Sequence, residues 1–169
     1  RPETFAVFAG VTPEDKYQIA KFKGYVALNL KDEATALTAY EDVANSPVLE
    51  EADKPAAYSN IFVLANHAKK YDELIKYGEM LEAMKPQDDK TLAIISQAYY
   101  LTHDEADATV WAKKSVDRAK ANGTDADPFV LQLVLNEEAK TNQALALQTL
   151  EEIAASDPSP NSYQQLTGL

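Results

Sequence analysis

The stretch LAIISQAYYLTHDEADATVWAKKSV, Leu92 to Val116, decides how the rest of the chain is read. Leu92, Ile95, Ser96 and Tyr99 place a bulky, an apolar, a small and an aromatic side chain on one face of a helix. A polar pivot, LTHDEAD, interrupts that face at Leu101–Asp107, and helical apolar spacing resumes beyond it. Asp104, Glu105 and Asp107 fit the start of a second helix, where free amide hydrogens and the helix dipole favour negative charge. The stretch reads as two helices about one turn.

Working outward, the same pair recurs. Pro47, Pro55, Pro86, Asn122-Gly123, Pro128 and Pro158 divide the chain into segments too long for one helix and right for two. Each segment has its own polar pivot: NLKDEA near Leu30, HAKKYDE near Lys70, AKTNQA near Thr141. The spacing predicts helices over 13–30, 33–46, 53–69, 71–84, 88–101, 104–121, 127–140 and 143–155. Ala36, Leu74, Ala108 and Ala146, early in each second helix, are separated by 38, 34 and 38 residues. The longer intervals coincide with the longer linkers NSPVLEEADKP and KANGTDADP.

A helix pair repeating at about 34 residues resembles the tetratricopeptide repeat. YDELIKYGEMLEAMKP, Tyr71 to Pro86, is similar to the second helix of that family, and Leu92–Tyr99 carries its first-helix pattern. The resemblance covers Thr12 to Pro158. It implies an all-α, right-handed α-α superhelix (a solenoid) of about four repeats, near 17–47, 55–86, 89–122 and 127–158, within a domain at 13–158. Residues 1–12 would be an N-terminal extension or cap. Tyr163, Leu166 and Thr167, at first-helix spacing, lead us to expect a further, truncated repeat beginning in 159–169 of a longer protein. Lys23 departs from the pattern at an apolar position. Phe62 replaces a small residue, which should push its helices apart. Val134 and Glu137 replace the small and aromatic residues of the fourth repeat, so an outer repeat could run one residue out of register.

Composition closes several functional classes. The net charge of −11 and pI of about 4.6 oppose nucleic-acid binding, which rests on neutralising phosphates. No apolar run approaches a membrane span, so no membrane insertion is expected. Without cysteine there are no disulfides, thiolate ligands or thiol nucleophile. Asp104-Glu105-Ala106-Asp107 spells a signature of ATP-driven RNA helicases, but none of the five glycines is followed by the Lys of a phosphate loop. His67 and His103, near turns of different repeats, lack the further ligands that zinc needs. Asn122-Gly123-Thr124 fits a helix-ending turn better than a glycosylation acceptor. We therefore expect no catalytic residues, no metal and no cofactor.

The resemblance implies a partner-binding surface on the first helices, facing a concave groove. Its positions fall on Lys21, Tyr25 and Asn29 in the first repeat and on Asn60, Val63, Asn66 and His67 in the second. The third contributes Lys90, Gln97 and Tyr100, and the fourth Gln132 and Leu135. Some relatives clamp a C-terminal carboxylate with two Lys, two Asn and an Arg. Lys21, Asn60 and Lys90 fill three of those places, but Tyr25 and Ile94 replace the others, which removes the bidentate Arg fork. The expected partner is a protein or peptide, and the expected role a non-catalytic interaction module. The alternative is a scaffold segment that self-associates through its ends. The resemblance leans towards bacterial proteins of the periplasm or envelope rather than the cytoplasm.

Overall fold

A computed structural model describes residues 10–156. Most of the expected N-terminal cap, and the further repeat at 159–169 with Tyr163, Leu166 and Thr167, lie outside the described residues. The described residues hold eight helices and no strand. These are α1 (Pro13–Asn29), α2 (Glu33–Ala44), α3 (Lys54–His67), α4 (Tyr71–Met84), α5 (Asp89–Leu101), α6 (Glu105–Asn122), α7 (Pro128–Thr141) and α8 (Gln143–Ser156). Every end lies within two residues of its expected place. The chain forms two compact units, with α1–α4 in the first and α5–α8 in the second.

Short polar side chains start the helices. Thr12 and Asp15 form a reciprocal capping box ahead of Pro13. The Asp32, Asp88 and Asp104 carboxylates accept from the backbone N–H three residues on, at 3.1, 2.8 and 3.1 Å. These bonds need the ionised form, and the hydrogen bonds from Thr12, Thr35 and Thr91 hold Asp15, Asp32 and Asp88 below the ordinary carboxylate value. A depressed folded-state value stabilises the fold above the unfolded value, near pH 4. That contribution is lost as pH falls through the lower folded-state value. Urea unfolding from pH 5 down to pH 2 should therefore show falling stability, and the Asp88→Asn variant a shallower fall.

Three of the four turns inside helix pairs share one geometry. Lys31, Lys69 and His103 have φ of 59°, 56° and 64°, the left-handed region. Each is flanked by the same two bonds. The N–H of the next residue reaches back to Ala27, Ala65 or Tyr99 at 2.9 Å, and the pivot's own N–H reaches Leu28, Asn66 or Tyr100. This is the Schellman closure of a helix end, here made without glycine. A side chain in that region costs about 1 kcal/mol. Lys69→Gly is thus expected to raise stability by about 0.5 kcal/mol, the remainder being lost to the freedom of unfolded glycine. Equilibrium denaturation with an unchanged m-value would show it. Gly123 ends α6 in the same conformation, φ 66°, so Asn122-Gly123 is a turn.

In the first unit α1 buries Tyr17, Ala20, Gly24 and Ala27. Lys23 lies off that face and is exposed. Gly24 lets the helix approach Tyr40, whose ring would stand 3.1 Å from a Cβ there. Phe62 is itself buried, in the packed face of α3 beside Ile61 and Ala65. In the second unit Ser96 Oγ donates to the Ala108 carbonyl and Ser115 Oγ to the Asp89 carbonyl, both at 2.7 Å and buried. They fasten α5 to α6 near both ends. Ala93, Ala112, Val116, Val130 and Val134 form the core beneath α5, α6 and α7. In α7 Glu138 is buried and Glu137 half-buried. Glu138 accepts a 2.6 Å bond from Thr149 of α8.

Candidate partner-binding site

The expected surface residues fare differently. In the first unit several are already engaged. Lys21 Nζ lies 3.8 Å from Asp53 and 5.1 Å from the centre of the Tyr17 ring, whose hydroxyl also donates to Asp53 at 2.9 Å. Burial and that acceptor push the Tyr17 phenol above its usual value. Asn29 donates to the Tyr25 carbonyl of its own helix at 2.8 Å. His67 Nδ1 stands 3.0 Å from a Glu33 carboxylate oxygen at the start of α2. Tyr25, Val63 and Asn66 are exposed, and Asn60 is half-buried. Lys21 is therefore already partnered by a carboxylate of its own unit, which weakens it as half of a clamp for a partner's carboxylate.

In the second unit the surface is more clearly shaped. Lys90, Ile94 and Gln97 of α5 line a cleft of about 580 Å³, closed opposite by Asp125, Asp127 and Phe129 at the start of α7. Ala93 and Asp89 complete its wall. A second cleft, of about 680 Å³, lies between α6 and α7, where Val110, Lys113 and Glu105 face Gln132, Asn136 and Lys140. Phe129 lines both. It meets the exposed Tyr100 edge to face with ring centres 5.5 Å apart. Such an aromatic pair is a rigid contact surface, amphipathic through the tyrosine hydroxyl. Gln132 donates to Asn136 at 2.9 Å on the wall of the second cleft.

Leu135 requires correction. Only 7% exposed, it packs with Ala146 and Leu150 in the core between α7 and α8. Its neighbour Val134 serves the other core, so α7 is clasped on two sides and Leu135 is not left over for a partner. Sequence reasoning also missed Asp89, Asp125, Asp127 and Phe129. Asp125 and Asp127 fall in the linker KANGTDADP, where Asp127 accepts from the Phe129 N–H at 2.8 Å. His103 occupies its left-handed turn. Among the described residues no group of three or more His, Asp or Glu is placed to hold a metal ion, and no helix is long and apolar enough to cross a membrane.

No protein-family model matches the chain, and no curated protein matches it in sequence. Two solved structures are similar in fold. One is MamA protein, with TM-score 0.61 and 12% identity, the match covering 90% of this chain and 80% of that one. The other is PilW, described as a widely conserved type IV pilus biogenesis factor, with TM-score 0.54 and 14% identity, covering 93% of this chain and 68% of that one. Both are tetratricopeptide-repeat proteins. The eight helices in pairs, the recurring turn and these likenesses together give this chain a divergent tetratricopeptide-like fold.

Proposed function

We propose that this chain is a non-catalytic protein-interaction module that holds a peptide or partner segment on the exposed faces of its first helices. The observation that carries the reading is the α5–α7 cleft, where Lys90 and Gln97 converge beside the Tyr100–Phe129 pair. Concave sites of a few hundred Å³ with an apolar floor and a few polar groups suit a side chain and its adjoining backbone. The test is a pull-down of candidate partners by the wild-type chain and by a Lys90→Ala, Gln97→Ala, Tyr100→Ala variant, after circular dichroism has shown both folded. A partner held by the wild type and lost by the variant supports the cleft. Equal retention by both removes it.

One observation favours a second reading, a scaffold that self-associates. Ile19, Phe22, Tyr25 and Leu30 of the α1 region are 60–74% exposed. Large apolar side chains exposed along one helix favour association. Light scattering should then find oligomers that Phe22→Lys reduces to monomer. A wild-type monomer at high concentration would exclude this role.

A further inference from the structure

The α5–α7 cleft holds a carboxylate without a partner. Asp89 is only 8% exposed and lines the cleft, yet among the described residues no hydrogen bond or ion pair reaches its side chain. Its backbone is pinned, because Ser115 donates to its carbonyl from the far side of the helix pair. No unpartnered side-chain oxygen is sealed inside the protein among the described residues, so this carboxylate opens onto the cleft and is free to meet a cation or a donor there. Lys90 lines the same cleft but makes no ion pair with Asp89 among the described residues. The remaining acids of the wall, Asp125 and Asp127, face water at the rim, and Asp127 spends one oxygen on the Phe129 N–H. The three carboxylates are not grouped as metal ligands. They are strung along a wall whose floor is Ala93, Ile94 and Phe129.

We propose that this cleft takes a basic side chain, Lys or Arg, from a partner peptide, with its cationic head at Asp89. The inference rests on the reading of the cleft as the partner site. The aliphatic stem of such a residue lies on Ile94 and Ala93, as long basic side chains commonly lie on apolar surface while the head reaches polar groups. The Phe129 ring adds attraction for a cation near its face. Asp125 and Asp127 draw the head inward, and the −11 net charge of the chain speeds the approach of basic partners over acidic ones. The selectivity is thus opposite in sign to that of a carboxylate clamp.

The test is a phage-displayed library of random peptides panned on the intact chain. The enriched peptides are then made synthetically, and their affinities measured by fluorescence anisotropy. Enrichment of a Lys or Arg beside an aliphatic or aromatic residue is expected. So is a loss of at least about tenfold in affinity on Asp89→Asn or on replacing the peptide's basic residue by norleucine. The exposed Asp125→Asn variant, whose folding is not in question, should weaken the same peptides several-fold, and more at low salt than at high. Peptides that lose binding on Ile94→Arg but need no basic residue would overturn this inference and leave the cleft as the partner site. Peptides indifferent to Ile94→Arg, Asp89→Asn and Asp125→Asn would overturn both.

Discussion

Leu92→Ala should destabilise the second unit by about 2–5 kcal/mol, the range for emptying a well-packed leucine site. Leu92 has no exposure at all, and neither has Ile95 one turn further along α5. The side chain cannot be replaced by collapse from α6, because Ser96 and Ser115 hold the two helices at a fixed separation through carbonyls at both ends. The lost transfer free energy is therefore joined by the cost of the void. Thermal unfolding followed at 222 nm should show a drop of several degrees. Gln97→Ala, an exposed change on the same helix, should shift it by no more than about 0.5 kcal/mol. A loss below about 1 kcal/mol for Leu92→Ala would mean that α5 relaxes freely and is not fixed by its serines.

The second large effect concerns α7 and α8. Thr149→Val keeps the side chain's shape but deletes the one donor that, among the described residues, reaches the buried Glu138 carboxylate, at 2.6 Å. A hydrogen bond to a charged group contributes about 1.5–3 kcal/mol, and stranding the charge makes the loss fall near the top of that range. Glu138→Leu combined with Thr149→Val should recover most of it, since removing both partners leaves neither group unsatisfied. A double-mutant cycle in urea reads this directly as a coupling energy. Additive losses would show that Glu138 is solvated in the native state and that Thr149 contributes by packing alone.

The architecture was legible because its determinants are periodic and local. Prolines and the Asn-Gly turn mark where helices stop, and apolar spacing shows what lies between. The groove was less legible. Val134 and Leu135 are adjacent and both apolar, so the sequence cannot say that α7 is gripped on two sides. Asp88 and Asp89 look equivalent at the start of α5, yet one caps the helix and the other is buried in a cleft wall. That difference depends on where the start of α7 comes to lie, which is tertiary information. Phe129, inside the helix expected over 127–140, is the shared wall of two clefts. Nor does the identity of Lys31 or Lys69 reveal a positive φ, as lysine has no preference for it.

The left-handed pivots also bear on how fast the chain folds. Each closes its turn through hydrogen bonds spanning three and five residues, so a helix and its partner meet across a very short loop. Loop-closure entropy is then small at the step that usually limits folding, and neighbouring pairs add contacts only slightly further along the chain. Such a topology favours submillisecond to millisecond folding that starts from any of several hairpins and spreads outward. The non-glycine pivots stiffen those hairpins in the unfolded ensemble, trading a little native strain for a shorter search.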